Sequence, residues 1–152
     1  MQFRFFNMSQ EPGFIVKFYD KKYENLSILE LVDAPVDAIS GVSKGDAEKL
    51  QKAFNIKTVK DLASHKYIKY AQALTSYADC SEDLLDKKYE ANITALADEP
   101  VDAIQGISDG DAELLKAAFN IKTIRDLATN KYVAVAETTL SLAALVALLS
   151  TL

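Results

Sequence analysis

The chain of 152 residues has no tryptophan, one cysteine, one histidine, three prolines and five glycines. A lone thiol, Cys80, closes no intramolecular disulfide, so a disulfide-stapled secreted scaffold is excluded. A reducing, cytoplasmic setting is expected instead. One cysteine and one histidine, His65, leave no ligand set for zinc. Scarce proline and glycine argue against a disordered chain and against a many-turned β-sandwich. They favour helices joined by short turns. A basic excess is missing as well: 17 Lys and Arg stand against 22 Asp and Glu, a net charge of -5. Nucleic-acid binders draw much of their affinity from neutralised phosphates, so this balance speaks against that role. The opening residues, MQFRFFNMSQEPGF, hold no long apolar run of the signal-peptide kind. No P-loop, dinucleotide fingerprint or Ser/His/Asp set occurs. The expectation is a protein that is not an enzyme and holds neither metal nor cofactor.

What the chain does have is an internal repeat. Residues 35–67 recur at 100–132 with a constant offset of 65, and 23 of the 33 aligned residues are identical. The match reaches upstream to Asp20-Lys-Lys-Tyr-Glu24 and Asp86-Lys-Lys-Tyr-Glu90. Self-similarity at a fixed period reads as a tandem duplication of one supersecondary unit. The division is an N-terminal arm over 1–19, a first repeat over 20–85 and a second over 86–152. Units of this size bury proportionally little surface, so the two are expected to pack together and unfold as one.

Each repeat reads as a string of short helices, which makes the expected fold class all-α. Ser27 and Asn92 are candidate caps of the first helix. Pro35 and Pro100 stand where a short helix tolerates proline, and Gly41 and Gly106 end it. In the next helix Ala47, Leu50, Ala53 and Phe54 form one apolar stripe. Asn55 and Asn120 suit a left-handed C-terminal cap. Thr58 and Thr123 read as N-caps, and Asp61 and Asp126 as capping or ion-pairing residues. His65 reads as a solvated turn residue, and Tyr67 and Tyr132 as packing anchors. The arm carries Phe3, Phe5 and Phe6, then Phe14 to Tyr19, split by Pro12-Gly13. An extended aromatic arm is expected, lying over a groove or pairing with the same segment of another subunit.

The stretch Gly41-Val-Ser-Lys-Gly-Asp-Ala-Glu-Lys-Leu50 and its counterpart Gly106-Ile-Ser-Asp-Gly-Asp-Ala-Glu-Leu-Leu115 resemble the helix-hairpin-helix pattern G-h-G-x-x-x-A-x-x-L. The continuations Ile56-Lys-Thr-Val-Lys-Asp-Leu-Ala63 and Ile121-Lys-Thr-Ile-Arg-Asp-Leu-Ala128 are similar to those of related small helical domains. The resemblance covers about 30 residues per copy. It implies two helix-hairpin-helix-like units, and it implies that backbone N–H groups at the second helix's start contact DNA phosphates. On that basis the candidate contact residues are Gly41, Ser43, Lys44, Gly45, Lys49, Gly106, Ser108 and Gly110. Both copies depart from the pattern in one place, where Ser43 and Ser108 replace the second glycine. The second copy also carries Asp109, Asp111 and Glu113. Over 35–80 the first copy has seven lysines and five acids, +2; over 100–145 the second has four bases and six acids, -2.

The last helices differ most. From Leu140 to Leu149 the second copy's helix has no charge and is apolar nearly all round. Counted alone, these ten residues are fewer than the roughly 20 of a membrane span, and the readings are a buried core helix, a helix shared with another subunit, or membrane insertion. Leu140, Leu142, Leu145, Leu148 and Leu149 are the candidate self-association residues. The expected function is a protein-interaction or assembly module with a protein partner, a second copy being one candidate. The alternative is sequence-independent DNA binding through the first hairpin, and such binding is expected to be weak.

Overall fold

Polar residues at the head of each apolar run set where the helices begin. The computed structural model describes residues 15–89 and 92–152. The protein is all-α, with no strand and three isolated bridges among these residues. The helices are α1 (Ile28–Leu31), α2 (Lys44–Phe54), α3 (Val59–Ser64), α4 (Lys66–Leu84), α5 (Asp109–Phe119), α6 (Ile124–Ala128) and α7 (Lys131–Leu149). Short 3-10 turns at Val36–Ala38 and Val101–Ala103 follow Pro35 and Pro100. Ser27, Ser43, Thr58, Ser108 and Thr123 each close a capping box with the acid three residues on. Each box satisfies two backbone donors that the helix start would leave unpaired. Asn55 and Asn120, both at φ 57, terminate α2 and α5. The two copies repeat one small tie as well. Val36 donates to the Lys57 carbonyl and Val101 to the Lys122 carbonyl, both at 3.0 Å.

The long helices do not pack on their own halves. α7 lies on α1 and α3, whereas α4 lies on α6 and on the 3-10 helix Ile93–Asp98. α2 and α5 pack on each other. The contacts therefore come in reciprocal pairs, with each half covered by the other half's last helix. One hydrophobic cluster runs from Ile15 through Leu50 and Leu115 to Val146. Ala71 on α4 and Ala136 on α7 are both fully buried, as small residues must be where helices approach closely. Near them Glu137 accepts from Lys69 at 2.6 Å and from Gln72 at 2.7 Å.

Three expectations are corrected here. The described part of the arm is not extended: Ile15–Phe18 is a 3-10 helix. It buries Ile15 and the following Tyr19, whose hydroxyl lies 2.6 Å from the Thr139 hydroxyl of α7. Phe3, Phe5, Phe6 and Phe14 lie outside the described residues. Asn92 is no cap; it sits at φ 61 and makes no side-chain capping bond. His65 is not a solvated turn residue. Its ring stacks on Phe54 at 4.8 Å, and Nδ1 accepts the Tyr67 N–H at 3.2 Å as the N-cap of α4. Nε2 stands 3.2 Å from the Phe54 carbonyl oxygen, so the neutral ring protonated at Nε2 satisfies both bonds.

That arrangement carries a pH signature. Burial holds the His65 imidazole below its ordinary value, with Lys66 acting the same way and the Phe54 carbonyl opposing both. A depressed histidine contributes stability above its unfolded value of about 6.5. That stability fades as pH falls towards and through the folded value. Asn130 does the same capping at the head of α7 without titrating. We expect His65→Asn to lessen the fall in melting temperature between pH 7 and pH 5. Thermal melts of both proteins across that range check this; parallel curves would contradict the role given to His65.

Candidate functional site

The sequence offers two candidate surfaces, the paired hairpins and the leucines of α7. At the first hairpin the Ser43 hydroxyl accepts the Asp46 N–H at 3.0 Å, and the Asp46 carboxylate accepts the Ser43 N–H at 3.2 Å. Ser108 and Asp111 repeat this at the same distances. A phosphate at either helix start would therefore meet a carboxylate already holding a backbone donor. Lys44 is exposed, and the Lys49 ammonium folds back to within 3.8 Å of where a β-carbon on Gly45 would stand. Lys44 thus stands free on the surface, while Lys49 lies over the first turn of α2. Hairpin two is the electrostatic opposite. A hydrogen bond that the protonated Asp109 carboxyl donates to Asp102, then the charge of Asp102, desolvation and the charge of Glu113, raise the Asp109 carboxyl above its usual range. Asp102, Asp109 and Glu113 have Asp37, Lys44 and Glu48 as their counterparts, so a lysine separates the acids in copy one.

The hairpin glycines also make contacts within the protein. Gly41 sits at φ +95 and Gly106 at φ +103, backbone that L side chains rarely adopt. Each stays exposed, yet a tyrosine from the other half stands where its β-carbon would project. A β-carbon on Gly41 would stand 2.7 Å from the Tyr132 hydroxyl, and one on Gly106 would land on the Tyr67 hydroxyl. The Tyr132 hydroxyl also donates to the Gly41 carbonyl at 3.3 Å. The close approach that glycine permits is thus made by protein. Tyr67 packs on Phe54 and His65, and Tyr132 on Phe119.

The leucines of α7 divide by face. Val133, Ala136, Thr139, Ala143 and Val146 are buried. Leu140 and Leu142 pack partly against the core and Leu149 is half-buried. Leu145 is 51% exposed and Leu148 61%, and Leu152 beyond the helix is 94% exposed. The duplication supplies a reference within the same chain. At the offset of 65, Ala144, Leu145, Ala147 and Leu148 correspond to Asp79, Cys80, Glu82 and Asp83 of α4. All eight are exposed. At these four positions the same helix in the same role is thus polar and acidic in one copy and apolar in the other, although α4 exposes Tyr70, Tyr77 and Leu84 elsewhere along its length. Asp79 receives both guanidinium nitrogens of Arg125, at 2.8 and 3.0 Å, and this lowers its carboxyl pKa. The counterpart positions, Lys60 and Ala144, hold no such pair.

Among the described residues no cluster of three metal-ligating side chains occurs. A groove of about 470 Å³ lies at the head of α7 between Ile39, Ser40, Tyr132 and Val135. Comparison with known protein families, curated proteins and solved structures finds no match to this chain.

Proposed function

We propose that the chain is a non-enzymatic protein-interaction or assembly module, built on two helix-hairpin-helix-like units, that docks a partner on the outer face of α7. One observation carries the reading. α4 covers the second repeat with Asp79, Glu82 and Asp83 facing out, whereas α7 covers the first with Leu145 and Leu148 facing out. The fold does not require those leucines, and contiguous exposed apolar surface marks contact sites. The test is a photoreactive residue placed at 145 or, as internal control, at 80, in the full-length protein in its native cells. Protein adducts from 145 and few from 80 are expected. Equal yields, or none from either, would contradict the reading.

Lys44 and Lys49 at the first hairpin favour the second reading, sequence-independent DNA binding. Against it stand the Asp46 and Asp111 carboxylates at both helix starts, the tyrosines over both glycines and the acidic cluster of hairpin two. Two phosphate contacts would give a salt slope of about -0.9 each. Fluorescence anisotropy with labelled duplex is expected to show no binding at about 150 mM salt, within the range where such few contacts fail. Submicromolar binding there, lost in Lys44→Glu/Lys49→Glu, would promote this reading over the first.

A further inference from the structure

The outer face of α7 has a period of its own. Thr138, Ser141, Leu145 and Leu148 recur at steps of three, four and three, and Leu152 follows four residues on. The first four lie along the side of α7 opposite its buried stripe. Steps of three and four are the seam spacing by which one helix receives another. We propose that this seam pairs with the same seam of a second copy, the two helices running antiparallel with Leu145 at the two-fold axis. The proposal rests on the interaction reading above and names its partner.

Three features select a second copy. No charged residue follows Glu137, so two chains of net charge -5 meet along this stripe without opposing like charges. The same absence leaves none of the flanking charges by which a helix seam selects a different partner. An isologous two-fold contact needs only a self-complementary surface, and antiparallel pairing supplies one. With Leu145 facing Leu145 of its mate, Ser141 lies opposite the edge formed by Leu148 and Leu149, so small meets large on either side of the axis. Parallel pairing would set Ser141 on Ser141 and leave a void there. A lipid surface is disfavoured by the same stretch. Helices that lie on membranes carry Lys or Arg on their polar face, and no basic residue follows Lys131. A seam of two heptads is smaller than the roughly 800 Å² per partner of a standard interface. A micromolar dimer is therefore expected, not an obligate one.

The experiment uses the full chain. Sedimentation equilibrium is expected to show concentration-dependent dimer in the micromolar range, weakened at least about tenfold in Leu145→Glu, which sets two carboxylates against each other. Leu145 is exposed, so the variant should keep its thermal transition. Because Cys80 is an exposed free thiol, cross-linking is done in Cys80→Ser. There Leu145→Cys should form a covalent dimer rapidly under mild oxidation, and Ser141→Cys should not. Ser141→Cys mixed with Leu148→Cys should form the heterodimer. A wild type that stays monomeric at hundreds of micromolar overturns the proposal, as does a dimer untouched by Leu145→Glu. Self-linking of Ser141→Cys in preference to Leu145→Cys overturns the antiparallel arrangement. Binding of monomer to neutral phosphatidylcholine vesicles, lost in Leu145→Glu, would assign the face to lipid. If position 145 yields adducts in cells while the purified protein stays monomeric, the interaction reading stands and the second copy falls.

Discussion

Gly41→Ala and Gly106→Ala are each expected to lower stability by about 2–5 kcal/mol, more than an unstrained glycine-to-alanine change. Two costs add. Alanine at φ +95 or +103 is strained by roughly 1–2 kcal/mol. The new methyl also meets a tyrosine from the opposite half, and overpacking of that kind costs about 1–3 kcal/mol. The second cost distinguishes this account from ordinary turn chemistry. Tyr132→Phe removes the atom nearest the Gly41 methyl, so it should recover part of the loss in Gly41→Ala. On its own, Tyr132→Phe forfeits the long bond to the Gly41 carbonyl, about 0.5–1 kcal/mol. Denaturant melts of the two single variants and the double measure the coupling. A cost below about 1 kcal/mol with no coupling to Tyr132 would mean that the tyrosine does not press on the glycine.

Much of the local structure was legible because it depends on residues close in sequence. Ser43 and Asp46, or Thr123 and Asp126, can form a capping box only with each other, so the helix starts follow from spacing. Asn55 and Asn120 end their helices for an equally local reason. His65 was misread in isolation, although its partner position held the correction. Asn130 is a good N-cap, so the residue aligned with it stands at a cap as well. Asn92 failed in the opposite direction, adopting a left-handed conformation outside the helix it was expected to open.

Which half each last helix covers was not legible. The apolar stripe of α4 shows which face is buried but carries no label for what buries it. The same holds for Tyr67 and Tyr132: their role as anchors was readable, their anchorage on the other half's glycine was not. The bidentate Arg125–Asp79 pair spans 46 residues and has no counterpart in copy one, so the repeat gave no hint of it. At the candidate site the leucines of α7 were legible as a group. Their division into buried Val146-side neighbours and an exposed Leu145–Leu148 face needed the packing. The seam residues Thr138 and Ser141 went unnoticed because they are polar, although their spacing was there to be read.

The exchange of last helices is the claim on which the rest depends, and cutting the chain between residues 84 and 85 tests it most directly. The first piece then holds α4 without α6 and the Ile93–Asp98 turn that cover its buried face. The second holds α7 without α1 and α3, exposing Val133, Ala136, Ala143 and Val146. Burying an apolar side chain contributes about 1.5–3 kcal/mol for the larger residues. Losing several at once exceeds what a unit of this size has to spare. Residues 1–84 and 85–152, expressed separately, are each expected to be largely unfolded as monomers, without a cooperative thermal transition. Mixed in equal amounts, they should recover helical circular dichroism and a sharp melt together. A monomeric fragment that melts cooperatively on its own, at the temperature of the intact chain, would contradict the interlocked architecture.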